Sequence, residues 1–199
     1  MRRHKLISTV LHPIVMPTVG VLLYFTLKTT NFNTTQYALF LAIVFIATYV
    51  IPILLLLFLK LIGKINSFEV HSIEERKIPL FVMVCIFLVL GKFFQQFNSI
   101  RELSYLFYGT LISMIVVYFI FLTKVKTSLH LLSMGSAFGY FIILHWIINI
   151  SILPILVIFM LLSGLLASSR LHLKAHTPKE VYLGFIIGLM GQLLVYYML

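Results

Sequence analysis

Seven apolar stretches, at roughly residues 6–27, 37–62, 78–95, 104–123, 128–148, 150–168 and 181–199, decide what this chain can fold into. Each approaches the length a helix needs to cross a bilayer's hydrocarbon core, about twenty residues. In lipid the backbone must satisfy its own hydrogen bonds, so helices are the expected solution. Hydrophobic residues make up 61% of the chain and charged residues 10%, with a mean hydropathy of +1.11. That leaves too little polar side chain to cover a water-soluble globule. The expected fold is an all-α polytopic transmembrane bundle of six or seven helices, forming a single integral membrane domain over residues 1–199 with no separate soluble domain.

The first stretch carries His12, Pro13 and Pro17, which predicts a bent or partly re-entrant helix. Its basic start imitates a secretory signal, but no small-x-small cleavage site follows, and it reads as an uncleaved first helix. All five acids are glutamates. The absence of aspartate rules out polytopic enzymes that hold magnesium through paired aspartates, and intramembrane aspartyl proteases with them. Cys85, the only cysteine, lies mid-helix and is expected to be inert packing, which leaves disulfide frameworks and thiolate metal sites without ligands.

The cations divide unevenly between the two ends of such a bundle. With seven crossings, the N-terminus and the connections at 63–77, 124–127 and 169–180 share one face and carry twelve of the fifteen Lys and Arg; Lys28, Lys92 and Arg101 occupy the other. Twelve against three predicts a cytoplasmic basic face. Setting aside the six cations nearest the candidate site leaves six against three, the same sign.

On that face each inter-helix connection feeds a basic or histidine-bearing stretch into the next helix. The third helix is expected to open after Glu74-Glu75-Arg76-Lys77-Ile78-Pro79, the fifth with Lys124-Val125-Lys126-Thr127-Ser128-Leu129-His130, and the seventh after Ser169, Arg170, His176, Thr177, Pro178 and Glu180. Free amides and the positive dipole end at helix starts favour an anion, and guanidinium, ammonium and imidazole groups around them deepen the well. A phosphate fits that description.

The stretch SSRLHLKAHTPKEVYLGFIIG, residues 168–188, resembles the third motif of the type 2 phosphatidic acid phosphatase superfamily, S-R-x5-H-x3-D followed by a glycine-bearing helix. Ser169, Arg170 and His176 fall on the pattern, with Glu180 where the family usually has Asp. The second motif, P-S-G-H, is matched by Ser128 and His130 without its proline and glycine. Of the first, K-x6-R-P, Pro79 is present, position 71 is His and position 78 is Ile, so Arg76 or Lys77 stands in for the cations. The Glu-Glu-Arg-Lys-Ile-Pro string is similar to a variant in small bacterial and archaeal members. The resemblance covers helices three to seven, a phosphatase-like core over about residues 63–199.

The resemblance implies a histidine that attacks phosphorus directly, without metal or other cofactor. His176 would be the nucleophile, Glu180 would hold its other ring nitrogen, and His130 would protonate the leaving group. Arg170, Ser128, Arg76 or Lys77, with Ser169 and Lys126, would bind the phosphate oxygens. It also implies residence in a bacterial inner membrane.

Plainer readings stand beside these. Thr177-Pro178-Lys179-Glu180 is itself a good helix start, with Glu180 placed to cap rather than to orient His176. Lys60, Lys64, Lys124, Lys174 and Lys179 read as topology signals and headgroup anchors. Gly184, Gly188 and Gly191, like Gly135 and Gly139, have the spacing of close helix packing. His12, His71, His145 and His172 receive no role, and the many Phe and Tyr residues read as lipid-facing and interfacial mass.

Together these observations predict a membrane-embedded phosphatase of a lipid phosphomonoester or diphosphate. Its partners are the lipid phosphate substrate and surrounding membrane lipids, with no nucleic acid. The alternative is a lipid-phosphate-binding, transport or scaffold protein in which the altered motifs reflect lost chemistry.

Overall fold

A computed structural model describes every residue except Met1, Glu69 and His71. Among the described residues the regular structure is helical: α1 (Arg2–Val10), α2 (Met16–Leu27), α3 (Thr34–Phe45), α4 (Ile51–Leu61), α5 (Ile73–Gln95), α6 (Leu103–Leu122), α7 (Leu129–Ile148), α8 (Leu153–His172) and α9 (Pro178–Met198). A π turn at Ile46–Val50 joins α3 to α4 as one continuous span, Thr34–Leu61. Proline 52 has no amide to offer the carbonyl of Thr48, and the register widens there, with the Ile51 amide reaching back to Ile46. Among the described residues, six helices are long and apolar enough to cross a membrane: this span and α5 to α9.

The first apolar stretch is broken rather than bent. α1 stops at Val10, a turn closed by Val15 N–H to the His12 carbonyl (2.9 Å) follows, and α2 begins with Pro17 in its first turn. At 12 residues, α2 is too short to span by itself. The two pieces nevertheless join opposite ends of the bundle. His4 meets Ser169 near the end of α8, whereas Lys28 bonds the Ser99 carbonyl and Glu102 between α5 and α6.

Helix starts differ from expectation in one informative place. α5 opens at Ile73, with Ser72 and Glu75 forming a reciprocal capping box, so Arg76 and Lys77 lie within its first two turns and Pro79 sits inside the helix. α8 continues two residues beyond Arg170, placing that residue on a helix, not in a loop.

Glycines let the central helices meet backbone to backbone. A methyl group on Gly188 would collide with the Leu132 carbonyl, on Gly184 with that of Ser128, and on Gly135 with that of Phe185. Gly191 lies against Ser113 and Gly109, and Ser113 Oγ donates to the Ile187 carbonyl at 3.0 Å. The fully buried Gln192 donates to the Leu106 carbonyl (3.0 Å) and Thr110 Oγ1 (3.2 Å). These contacts make α6, α7 and α9 one rigid unit, as small-residue packing in lipid requires.

Two expectations are corrected around this unit. Many aromatics are interior: Tyr24, Phe87, Phe94, Phe107, Phe121, Tyr140 and Phe141 are fully buried, and the Phe94 and Phe107 rings stack at 5.2 Å. Trp146 and Tyr196, by contrast, pair at the far end, where interfacial aromatics belong. Cys85 is exposed on the surface of α5 and is not a packing residue. His145 closes the end of α7, its Nδ1 2.6 Å from the Ile150 carbonyl.

Candidate active site

The packing of α7 on α9 brings two of the three motif regions together at the outset, because the Ser128 amide donates to the Glu180 carbonyl at 3.2 Å. Between α8 and α9 the chain turns sharply. Lys174 takes a left-handed conformation (φ 50°), the Ala175 amide returns to the Arg170 carbonyl (3.1 Å), and Thr177 caps α9. This turn folds His176 inward, leaving its side chain 2% exposed.

There the Nδ1 of His176 lies 2.6 Å from Glu180 Oε2. Of the two readings of Glu180, the carboxylate takes the one that faces His176 and makes no capping box with the Thr177 amide. The Glu180 backbone amide donates to Thr177 Oγ1 at 3.4 Å, so the Thr177 hydroxyl starts the helix while the carboxylate holds the imidazole. With Nδ1–H donated to Glu180, the lone pair of the neutral ring resides on Nε2. Burial lowers the His176 pKa below its ordinary value. The Glu180 hydrogen bond opposes that shift, and the charges of Arg170 and Arg76 reinforce it.

Arg170, on the last turn of α8, donates Nη1–H to Ser8 Oγ at 2.8 Å. That hydroxyl is also 3.5 Å from His130 Nε2, at the start of α7. Arg76 is held by a 2.7 Å bond from Nε to the Val70 carbonyl and lies within electrostatic reach of Glu180 and His176. His130, His176, Arg170 and Arg76 all line one cavity with His12, and from this polar mouth it runs inward past Pro79, Met83, Phe87, Leu106 and Ala137. Its walls are overwhelmingly apolar.

The remaining sequence candidates fall elsewhere. Ser128 caps α7, its Oγ accepting the Leu131 amide (3.5 Å). Ser169 Oγ donates to the Leu165 carbonyl and faces His4. Lys77 pairs with Glu74 at 2.8 Å on the rim. Lys126 and Lys174 line a shallow outer depression on the other side of His176, with Thr177 and Glu180. His71 lies outside the described residues. Among the described residues, no three His, Cys, Asp or Glu side chains stand close enough to share a metal ion.

The N-terminal segment, to which the motifs gave no part, contributes His12 to the cavity lining and Ser8 as a partner of Arg170. Their signal was present in the sequence: His4, Ser8 and His12 recur every four residues, the first two on α1 and the third in the turn that follows it.

The chain matches no protein-family model, no curated protein and no solved structure.

Proposed function

We propose that this protein is a membrane-embedded lipid phosphatase acting through a phosphohistidine at His176. The observation that carries the reading is the buried His176–Glu180 pair, set beside Arg170, Arg76 and His130 at the polar mouth of an apolar cavity. Two guanidinium groups and three imidazoles line that mouth, and N–H donors of this kind suit phosphoryl oxygens. The cavity behind it suits the hydrocarbon part of the same molecule.

The chemistry follows from the positions. Nε2 of His176 attacks phosphorus, the bond from phosphorus to the leaving oxygen breaks, and His130 gives that oxygen a proton. Arg170 and Arg76 stabilise charge on the equatorial oxygens. Water then attacks the phosphohistidine and gives a proton back to His130, the bond from phosphorus to Nε2 breaks, and inorganic phosphate leaves with both imidazoles restored. The partial agreement with the phosphatidic acid phosphatase motifs supports the same assignment. Undecaprenyl diphosphate, phosphatidate, phosphatidylglycerophosphate and a sphingoid phosphate all satisfy this geometry.

Phosphate release from a short-chain lipid phosphate in detergent, with chelator present, tests the reading. Wild-type release should disappear in His176→Ala, and equal release from both proteins overturns it. Binding of the lipid without release would favour the non-catalytic alternative, and product analysis separates hydrolysis from transfer to another acceptor. The basic face, with the site, is proposed to be cytoplasmic in a bacterial inner membrane. A membrane-impermeant thiol reagent should leave Lys64→Cys, in a Cys85→Ala background, unlabelled in intact cells; labelling reverses the orientation.

A further inference from the structure

α1 packs against α8 beside the candidate site. Two polar residues of α1 and one in the turn that follows it meet the motif region in succession. His4 Nδ1 is 3.2 Å from Ser169 Oγ, and its ring stacks on His172 with centroids 4.1 Å apart. Ser8, buried, accepts from Arg170 at 2.8 Å and stands next to His130. His12 stands edge-on to His130, ring centroids 4.9 Å apart, and lines the cavity.

The contacts of His12 fix what it can offer. The Ile14 amide donates to its Nδ1 at 3.4 Å, so that nitrogen carries a lone pair and the hydrogen of the neutral ring is on Nε2. An N–H donor inside a cavity already rich in guanidinium groups calls for an acceptor that those groups also bind. A phosphoryl oxygen is such an acceptor.

We propose that the N-terminal segment is the fourth wall of the phosphate pocket, with His12 donating Nε2–H to a phosphoryl oxygen and Ser8 holding Arg170 in the orientation that grips the same group. His12 is a binding residue in this arrangement, and Ser8 is a positioning residue that acts through Arg170. The inference rests on the phosphate reading above and adds a helix outside the motif-bearing region.

The test uses the full chain in detergent, orthovanadate and inorganic phosphate as equilibrium probes, and turnover of a short-chain lipid phosphate. His12→Phe keeps a ring without the donor, whereas His12→Gln keeps a neutral N–H. Vanadate affinity should fall about tenfold or more in His12→Phe and be largely retained in His12→Gln. Equal losses in both variants, or none in either, overturn the role of His12. Ser8→Ala should lower kcat with an unchanged unfolding temperature, and Ser8→Thr should restore it. Unchanged kcat in Ser8→Ala overturns the positioning role even if the His12 variants fail to fold. A wild type that binds neither probe and releases no phosphate overturns the phosphate reading itself; an active wild type with indifferent variants removes only this inference.

Discussion

The Glu180 carboxylate stands 2.6 Å from Nδ1 of His176, one helical turn away across the start of α9. An i, i+4 pair at a helix entrance is geometrically stiff, and here the Thr177 cap fixes the backbone on which both residues depend. The carboxylate sets the tautomer of the ring, and in the proposed reaction it would steady the imidazole as charge develops there.

Replacing Glu180 by Gln keeps the size and a hydrogen-bonding group but removes the charge. If the carboxylate orients and supports His176, kcat for lipid phosphate hydrolysis should fall by about 10²- to 10⁴-fold with little change in unfolding temperature. Single-turnover measurements on wild type and Glu180→Gln check this. Unchanged kcat would reduce Glu180 to a helix-start residue.

Under the proposed phosphatase reading, acidity should act through the same ring. Because burial lowers the His176 pKa, the acid limb of the rate profile should lie below the ordinary histidine value, about 6.5. Glu180 acts in the raising direction, so Glu180→Gln should move that limb to still lower pH. The stability sign agrees. A folded-state pKa below the unfolded one means that the unfolded chain takes the proton more readily, so this contribution is complete above about 6.5 and is lost as pH falls toward the folded value. A pH–rate profile with its acid limb above 6.5 contradicts the assignment.

Two glycine substitutions should part company. In Gly188→Ala the new methyl meets the Leu132 carbonyl and the Ser136 amide, which are backbone atoms that cannot turn aside. A loss of about 1–3 kcal/mol is expected in thermal or denaturant unfolding in detergent. Gly164 on α8 has no neighbour within 4 Å of the added carbon. Gly164→Ala should be neutral or stabilising by up to about 1 kcal/mol.

At the opposite end, Lys28 and Glu102 form a largely buried ion pair at 2.8 Å, with Tyr24 Oη donating to the same carboxylate at 2.9 Å. It ties the end of α2 to the start of α6. Glu102→Gln should cost about 1–3 kcal/mol, because an ammonium group loses its partner. Lys28→Met combined with Glu102→Gln should recover part of that loss. Unfolding of the two single variants and the double variant gives the coupling directly.

Much of this architecture was legible because lipid leaves the backbone few choices. The stretch at 104–123 became α6 (Leu103–Leu122) and that at 128–148 became α7 (Leu129–Ile148). Hydropathy erred where polar residues prolong a helix beyond the apolar core, as at Ser169 to His172 and at Glu74 to Lys77. In the latter case the Ser72–Glu75 capping box was itself written in the sequence. The His176–Glu180 pair was legible only through the family resemblance, because His176 precedes the Thr177 cap and lies off the face of α9. The inward rotation of His12 and Ser8 was not legible, because it depends on α1 docking against a helix some 160 positions later in the chain.

That separation has a consequence for biogenesis. Ser8 and Arg170 are 162 positions apart, so a pocket needing both cannot close while synthesis is still under way through the middle of the protein. The segment bearing Ser8 must wait in the membrane until the stretch bearing Arg170 has been made and inserted. A nascent product that still lacks Arg170 would therefore sit in the membrane with this wall of the pocket unjoined.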